Sequence, residues 1–385
     1  MKKILFITPN LSIGGTNSSL LSLINNLKNN GFNIHVFAIT HQGDEKIKEN
    51  LDEFLIEENQ FLSSYYCNYS LLKTKTIKFF LIKFIKRLFF YLKINIEDFI
   101  LKLFVNKFEN QIEFHTVVGY QEGTATKLAS KFKTSNKIAW IHCNYDYYLP
   151  RNKTEEKIYD FFNTIVLVSN YTKTVFCNRY PKLKEKTIVF YNLIDASKVI
   201  KLSKNKININ NYNNDIFKII SVGRIDPIKR FSLIPEISNQ LLNKGLIFKW
   251  FILGSTDNYN ELIKIKSKIA AFNLENIVHI LGNISNPYPY FIHSDLLVSL
   301  SISEACPMIF NEAKILNLPI VTTDFPSSFE FITHEKDGLI STIDKIGEQI
   351  ERMIEDITLY SKLKDNILSF HSEYDSNINN LISIL

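Results

Sequence analysis

The sequence has few of the residues that hold small secreted folds together. Its 385 residues include only four cysteines, none in a C-x-x-C pair, and no histidine lies at zinc-finger spacing from two of them. The apolar run after Lys2 and Lys3 is four residues long, whereas the apolar core of a secretory signal needs ~7–15. These absences exclude a disulfide-stapled scaffold and favour four free thiols in a reducing, cytoplasmic setting.

Long apolar runs are also missing. No uninterrupted run approaches the ~18 residues that suggest a membrane-spanning helix. The apolar fraction of 45% and the charged fraction of 22% are close to the averages for globular proteins, which excludes a disordered chain. At ~150 residues per domain, the length predicts two to three domains.

The positive charge is concentrated in one place. The chain has 45 Lys and Arg residues against 39 Asp and Glu residues, a surplus of +6. The segment 71–96 holds seven basic residues and no acid, so the rest of the chain carries a net charge of −1. Outside this segment no basic stripe with interleaved aromatic residues is found, and we therefore expect no nucleic-acid partner.

The segment 71–96 has the periodicity of an amphipathic helix. At ~100° per residue, basic side chains such as Lys83, Lys86 and Arg87 fall within about one half-circle, and apolar side chains such as Phe84 and Leu88 populate the other. Such a helix can lie in the headgroup region of an anionic membrane surface. It can equally dock on the protein's own core with a solvated basic face, and periodicity leaves both interpretations open.

Two runs of alternating strand and helix patterns follow each other along the chain. A polar, Asn-rich stretch at 203–215 separates them and is interpreted as a linker. The alternation predicts an α/β fold of two Rossmann-like, doubly wound domains facing a cleft. The predicted domains are 1–202, which carries the segment 71–96, and 216–385, whose last helix is a candidate to cross back. The expected strands are 3–7, 33–39, 116–119, 137–141, 164–169, 186–191, 217–222, 248–253, 277–281, 296–300 and 320–323, and the clearest helices are 17–29, 231–243, 258–272 and 307–316.

Paired glycines follow the first strand. Gly14 and Gly15 precede a helical pattern, where they let the backbone approach a ligand and where the helix N-terminus favours an anion. The more specific G-x-G-x-x-G dinucleotide fingerprint is absent. A lone Gly-Gly pair is often only a turn, so this motif is informative only together with others.

A second motif follows the first strand of the second domain. Gly223 ends that strand, and Arg224 and Lys229 come before the next helix. Two cations at a strand end can neutralise a diphosphate. The alternative is two surface cations, one of them paired with Asp226.

The third motif places two carboxylates around the start of a helix. Glu304 lies in the loop after the strand 296–300, Pro307 suits the first helical position, and Glu312 lies further along the helix. The free amides of Met308 and Ile309 would favour a phosphate, and the carboxylates can accept hydrogen bonds from sugar hydroxyls. The alternative for Glu312 is a solvated helix residue.

Taken in order along the chain, these motifs resemble the retaining glycosyltransferases of family 4, also described as glycosyl transferases group 1, which have the GT-B fold. The family carries E-x7-E after a strand, a G-R…K element at the start of its second domain and a Gly-Gly loop after its first strand. It also has an "N-G-V-D" stretch and a segment after E-x7-E that are similar to residues 192–195 and 318–330. The residues that match its main motifs are Glu304, Glu312, Gly223, Arg224, Lys229, Gly14 and Gly15.

The resemblance implies a role for each matching residue. Glu312 would bind the nucleotide ribose, and Glu304 would contact the donor sugar. Arg224 and Lys229 would hold the diphosphate and stabilise its leaving charge, with Gly223, Met308 and Ile309 contributing backbone. The Gly14–Gly15 loop would approach the diphosphate or the acceptor. His142 matches a family histidine near the donor sugar, although a lone histidine after an apolar strand could equally be structural.

The resemblance also implies partners. It predicts a nucleotide-sugar donor, a UDP-sugar by family frequency, and a glycan or lipid-linked glycan acceptor in cell-surface polysaccharide assembly. No D-x-D motif occurs, so no metal and no other cofactor is expected. Ala305, Ser327 and Ser328 stand where the family often has glycine, which leaves the donor identity open. The alternatives are a sugar-nucleotide epimerase of the same fold and a non-catalytic nucleotide-sugar-binding scaffold.

Overall fold

The computed structural model describes two compact units. The described residues are 2–12, 14–40, 43–66, 82, 84, 86–88, 97–145, 147, 154–207, 216–255, 258–368 and 378–385. The first unit comprises Met1–Leu193 and Tyr374–Leu385, and the second comprises Ile194–Glu373. Most of the basic segment 71–96 and residues 208–215 of the predicted linker lie outside the described residues.

The first unit contains one six-stranded sheet. Its strand order is β2-β1-β3-β4-β5-β6, and every described pairing in it is parallel. Parallel strands are covered by helices on both faces, which is why the β1 residues 4–7 are fully buried and apolar. The strands are β1 (Lys3–Thr8), β2 (Asn33–Ala38), β3 (Thr116–Gly119), β4 (Asn136–Ile141), β5 (Thr164–Leu167) and β6 (Thr187–Val189). The helices are α1 (Gly15–Asn29), α2 (Glu45–Leu51), α3 (Gln60–Tyr66), α4 (Glu97–Glu109), α5 (Thr124–Ala129), α6 (Thr154–Tyr159) and α7 (Asn170–Arg179).

The second unit contains a second parallel six-stranded sheet, with the order β12-β11-β10-β7-β8-β9. The helix that opens the unit is α8 (Ala196–Ser203). The strands are β7 (Phe217–Val222), β8 (Phe248–Leu253), β9 (Val278–Gly282), β10 (Leu296–Ser299), β11 (Ile320–Thr323) and β12 (Leu339–Ser341). The other helices are α9 (Ile234–Asn243), α10 (Tyr259–Ala271), α11 (Tyr288–Ile292), α12 (Met308–Ile315), α13 (Ser328–Phe331), α14 (Ile346–Glu355) and α15 (Ile357–Leu368), and α16 (Ile378–Ile384) returns to the first unit.

Each sheet has a point at which its strand order reverses. In the first unit β1 lies between β2 and β3, and in the second unit β7 lies between β8 and β10. Crossover helices leave on opposite faces of the sheet at such a point, so the loops at the carboxyl ends of the strands separate and leave a crevice. The loops after β1 and β3, and those after β7 and β10, are therefore where ligands of this fold class bind.

The predicted strands are confirmed, with ends shifted by one or two residues for several of them. The short edge strand β12 and the helices α14 and α15 were not among the predictions. A three-residue edge strand gives almost no periodic signal. The predicted helix 231–243 begins as a 3-10 turn at Phe231–Leu233 before α9 starts.

The division between the units differs from the predicted limits. Helix α8 lies in the second unit, whereas the sequence placed residues up to 202 in the first domain. The reason is packing: Val199 of α8 contacts Met308 in one apolar cluster, and the Asn286 side-chain amide donates to the Leu202 carbonyl at 2.9 Å. At the other end of the chain, Tyr374–Leu385 belongs to the first unit.

Two loops of the second unit touch at the carboxyl edge of its sheet. The amide of Gly223 after β7 donates to the Leu253 carbonyl at 2.9 Å, and the amide of Ile225 donates to the Ser255 carbonyl at 3.1 Å. A Cβ atom on Gly254 would lie 1.7 Å from the carbonyl oxygen of Gly223. Only glycine therefore fits at position 254.

Gly254→Ala is expected to destabilise the protein by about 2 kcal/mol or more, because the new methyl group must displace backbone rather than a flexible side chain. The measurement is the urea-unfolding midpoint. Gly347→Ala is the matched control, since its Cβ would have only an ordinary contact of 3.8 Å with Gln240. Equal midpoints for Gly254→Ala and the wild type would contradict this packing.

Candidate functional site

The loops after β7 and β10 are joined to each other by backbone. A 3-10 turn at Pro227–Lys229 follows β7, and the Asp226 carboxylate caps it by accepting from the amides of Ile228 and Lys229. The Ile228 carbonyl accepts from the amide of Ile302 in the loop after β10, at 2.8 Å. The turn that carries Lys229 is thus held against the loop that carries Glu304.

Lys229 and Glu304 form an ion pair in this position. The Lys229 ammonium donates to Oε1 of Glu304, and the Ser301 hydroxyl donates to the same oxygen at 2.7 Å. Both charged side chains are mostly buried, with 19% and 17% of their surface exposed. The aliphatic stem of Lys229 lies against Gly223, where a Cβ would contact the Lys229 Cε at 3.3 Å. Residues predicted from two separate motifs therefore meet here.

The loop that carries Glu304 is fixed by hydroxyl groups on its backbone. The Ser327 hydroxyl donates to the Glu304 carbonyl at 2.6 Å, and the Thr323 hydroxyl donates to the Ser301 carbonyl at 2.5 Å. Ser327 and Thr323 are buried. Ser327 stands where the related family often has glycine, and here its hydroxyl supports the site.

Arg224 differs from Lys229 in being open to solvent. Its guanidinium lies 3.7 Å from the Asp226 carboxylate and is 78% exposed. The predicted surface pair with Asp226 is therefore present. Arg224 also borders a surface pocket of ≈ 560 Å³ at the carboxyl ends of β7 and β8, whose other lining residues include Ser255 and Asn258.

Helix α12 begins beside this loop. Pro307 precedes it without a side-chain cap, and among the described residues no acceptor is found for the first-turn amides of Met308 and Ile309. A helix N-terminus with free amides carries a partial positive charge and suits an anion. The Met308 side chain itself packs with Ile194 and Val199, so only its backbone is a ligand candidate.

Glu312, the fifth residue of α12, is held by a tyrosine. The Tyr288 hydroxyl donates to Oε1 of Glu312 at 3.0 Å. Burial raises the pKa of Glu312 to about 7, and the hydrogen bond from Tyr288 opposes that shift. Glu312 is therefore a half-buried, specifically bonded carboxyl group and not the solvated helix residue that was its alternative.

In the first unit, the Gly14–Gly15 loop joins β1 to α1. The Asn17 side-chain amide donates to the carbonyls of Asn10 and Ser12, at 3.2 and 2.7 Å, and so fixes the loop from inside. Gly14 has open space around its Cβ position. The backbone of this loop is thus accessible at the point where the strand order of the first sheet reverses.

His142 follows β4 and lies among aromatic rings. Its imidazole centroid is 4.6 Å from that of Tyr120 and is stacked on Trp140 at 6.3 Å. Both ring nitrogens are buried and find no hydrogen-bond partner among the described residues. Burial lowers the pKa of His142 to about 3, so the ring is neutral at physiological pH.

A half-buried acid that belongs to none of the sequence motifs lies next to His142. Glu122 follows β3 and accepts from the His142 backbone amide at 2.9 Å and from the amide of Cys143. Burial raises the pKa of Glu122, and these backbone donors oppose the shift. The sequence motifs did not predict four residues of these sites, because none of the four belongs to a recognisable short pattern. They are Glu122, Gly254, Tyr288 and Ser301.

The predictions on metal binding, membrane-spanning helices and cysteines can be compared with the structure only over the described residues. Among the described residues, no group of three or more His, Cys, Asp or Glu side chains could hold a metal ion. None of the described helices combines the length and apolarity needed to cross a bilayer. The three described cysteines, Cys143, Cys177 and Cys306, form no disulfide.

Comparison with known proteins connects these features to a family. Residues 203–369 match the family model of glycosyl transferases group 1. The O-antigen biosynthesis glycosyltransferase WbnH of Escherichia coli is 30% identical over 193 residues, which are 49% of this chain and 53% of that protein. The N-acetylgalactosamine-N,N'-diacetylbacillosaminyl-diphospho-undecaprenol 4-alpha-N-acetylgalactosaminyltransferase of Campylobacter jejuni is 26% identical over 262 residues, which are 67% of this chain and 63% of that protein. The chain spans about half the length of the curated relatives it matches.

Solved structures match over the whole chain. HepE of Anabaena, in complex with UDP and glucose, has a TM-score of 0.76 at 16% identity, and the match covers 100% of both chains. The lipopolysaccharide outer core galactosyltransferase WaaB has a TM-score of 0.65 at 18% identity, again with full coverage of both chains. The chain therefore has the GT-B fold, and its residues 203–369 match the family model of glycosyl transferases group 1.

Proposed function

We propose that the protein is a retaining glycosyltransferase. It would move a sugar from a nucleotide-diphosphate sugar, a UDP-sugar by preference, to a glycan or lipid-linked glycan in cell-surface polysaccharide assembly. The observation that carries the proposal is the cluster of Lys229, Glu304 and Ser301 at the strand-order reversal of the second sheet. Donors of this class carry both the diphosphate and the sugar hydroxyls that such a cluster can bind.

The diphosphate would be bound by cations and backbone amides together. Lys229 is mostly buried beside Gly223, and the first amides of α12, from Met308 and Ile309, have no described acceptor. Arg224 is exposed and free to turn towards a phosphate, since its contact with Asp226 is a solvent-screened one. Negative charge that develops on the leaving diphosphate would then be stabilised by groups already in place. The proposal includes no metal, because these groups supply the positive charge.

Glu304 has two tasks in this scheme. In the free protein it neutralises Lys229 and so makes a buried cation tolerable. A bound diphosphate would compete for the same ammonium group. The Glu304 carboxylate could then accept hydrogen bonds from hydroxyls of the donor sugar, with Ser301 still holding Oε1.

The roles of Glu312 and of the first unit follow the family pattern. Glu312 would accept hydrogen bonds from the ribose hydroxyls of the nucleotide. His142 would face the donor sugar as a neutral imidazole whose ring nitrogens have no described protein partner. The loop at Gly14 and Gly15 would approach the diphosphate or the acceptor. We assign no dedicated general base, since the leaving phosphate can take the acceptor proton.

The donor and acceptor classes are supported by relatives. The HepE structure holds UDP and glucose, WbnH is named for O-antigen biosynthesis, and the Campylobacter jejuni relative is named for transfer to a diphospho-undecaprenol glycan. The charge pattern of this chain agrees with a lipid-linked acceptor, because seven basic residues without an acid lie in the segment 71–96.

We also propose that the first unit binds an anionic membrane surface, on the cytoplasmic side. Two side chains of the predicted apolar face, Phe84 and Leu88, are exposed. Helix α4, which follows the basic segment directly, exposes Phe99 and Leu103 one turn apart. Exposed aromatic and aliphatic side chains beside a basic, acid-free segment fit the boundary between headgroups and acyl chains.

The membrane proposal predicts that charge reversal at Lys83 and Arg87 lowers co-sedimentation with phosphatidylglycerol-containing vesicles by about tenfold or more, since each basic residue near such a surface contributes about 1 kcal/mol. Lys86 is left unchanged because its ammonium contacts the Tyr65 carbonyl at 3.1 Å. Charge reversal at Lys198 and Lys201, both exposed on α8, is the matched control. Equal losses in the two variants, or none, would return the segment to the docked-helix interpretation.

The site assignment predicts that Lys229→Ala and Glu312→Ala each lower sugar transfer at least about 100-fold, because each removes a charged contact to the donor. Initial transfer rates measure this. Lys244→Ala and Glu351→Ala are the controls and should keep wild-type rates, because they break only an ion pair between the residue that follows α9 and a residue of α14. Wild-type rates in either site variant, with the fold intact by circular dichroism, would refute the assignment.

A donor screen separates the proposed activity from its alternatives. UDP-, GDP- and ADP-sugars are offered with EDTA present, with and without a crude lipid-linked glycan acceptor. A glycosyltransferase is expected to transfer sugar only when the acceptor is added. Conversion of the nucleotide sugar without acceptor would indicate an epimerase, and binding without any turnover would indicate a scaffold.

A further inference from the structure

The geometry points to Tyr288 as a positioning residue for nucleotide binding, one that holds the Glu312 carboxylate in place and in its ionised form. This inference rests on the proposed function, in which Glu312 accepts hydrogen bonds from the ribose. Tyr288 belongs to none of the motifs of the family resemblance and precedes Glu312 by 24 residues.

The contact between the two residues is specific. The Tyr288 hydroxyl donates to Oε1 of Glu312 at 3.0 Å, and both side chains are half-buried. A ribose presents two vicinal hydroxyls, and an ionised carboxylate has two oxygens that can accept from them. A hydroxyl bound to one side of the carboxylate fixes its rotation and so the direction in which it can accept.

Tyr288 is itself held rigidly. It begins the short helix α11, and its amide donates to the Asn286 side chain at 3.3 Å, while Asn286 donates to the Leu202 carbonyl at 2.9 Å. Its ring packs against the cluster of Ile194, Val199 and Met308. The hydroxyl therefore reaches Glu312 from a scaffold that ties α8, α11 and α12 together.

The surroundings of the pair keep the Tyr288 hydroxyl protonated and raise the pKa of the Glu312 carboxyl group. Burial and the Glu312 charge raise the pKa of Tyr288, so its hydroxyl stays protonated and always donates. Burial raises the pKa of Glu312 to about 7, and the Tyr288 bond lowers it. Among the described residues the other charge that acts on the pair is Asp195 at the start of α8, which raises the pKa of Tyr288 further.

The directions of these pKa shifts determine how nucleotide affinity should change with pH when the Tyr288 hydroxyl is removed. A hydrogen bond to the ionised carboxylate stabilises that form, so removing the Tyr288 hydroxyl moves the pKa of Glu312 upward from about 7. At neutral pH a smaller fraction of Glu312 would then be ionised. Nucleotide affinity should fall at neutral pH and recover as the pH rises past the new pKa.

The test is the affinity of Tyr288→Phe for UDP, measured by calorimetry between pH 6 and 9, with GDP and ADP titrated in parallel. We expect affinity to fall about tenfold at pH 7, the usual size of a lost hydrogen bond to a charged group, and to recover part of this loss at pH 9, where the carboxylate is ionised in both proteins. The phosphates of UDP titrate identically for every variant, so the difference between variants reports on the protein.

Two further variants make the result interpretable. Tyr360→Phe removes a hydroxyl that donates to the Asp295 carbonyl at 3.2 Å, and it should leave UDP affinity unchanged at every pH. Tyr288→Phe combined with Glu312→Ala should bind UDP no more weakly than Glu312→Ala alone, because a positioning residue acts only through its partner. A purely structural role would instead give a loss that is independent of pH and adds to that of Glu312→Ala.

The outcomes distinguish this inference from the function on which it rests. Normal affinity of Tyr288→Phe, or a loss that adds to the loss caused by Glu312→Ala, overturns the role of Tyr288 if Glu312→Ala itself weakens binding. Failure of the wild type to bind UDP, GDP or ADP, or normal binding by Glu312→Ala, overturns the nucleotide site itself. The proposed role of Tyr288 is supported if Tyr288→Phe weakens binding in a pH-dependent way and has no further effect in the Glu312→Ala background.

Discussion

The position of β10 directly beside β7 is the constraint on which the chemistry of the second unit depends. The two strands are parallel, so their carboxyl ends lie at one edge of the sheet, and residues 75 positions apart in the sequence meet there as Lys229 and Glu304. The buried Ser221 hydroxyl, which donates to the Val298 carbonyl at 2.7 Å, also connects the two strands. A change in strand order would leave every motif intact and still separate the ion pair.

The two glutamates of the E-x7-E motif have opposite environments. Glu304 accepts hydrogen bonds from the ammonium group of Lys229 and from the Ser301 hydroxyl. Glu312 has no cation bonded to it within the described residues, and burial raises its pKa to about 7. The same motif thus places one carboxylate against a cation and the other against a neutral hydroxyl, in surroundings that raise its pKa. Sequence spacing alone does not distinguish them.

Much of the fold follows from the sequence because buried parallel strands are short apolar runs between helical patterns, and β1 and β7 are clear examples. The motif residues Gly223, Lys229 and Glu304 were predicted for the same reason, since strand ends locate them. Tyr288 was not, because it lies in a proline-rich stretch and its partner is fixed by tertiary packing. The placement of α8 was missed because a polar stretch after a helix resembles a linker whichever unit the helix packs on. Most of the segment 71–96 lies outside the described residues, so its membrane role stays a prediction.

The return of α16 to the first unit makes the second unit an insertion within the first. The carbonyls of Ile384 and Leu385 accept from Asn136 and Thr116, at 2.8 and 2.7 Å, so residues 384 and 385 bind the amino-terminal ends of β3 and β4. On the ribosome the second unit can therefore finish folding while the first still waits for its final helix. The first unit, which carries the basic segment, thus begins to be synthesised before the second unit but is complete only when α16 has emerged.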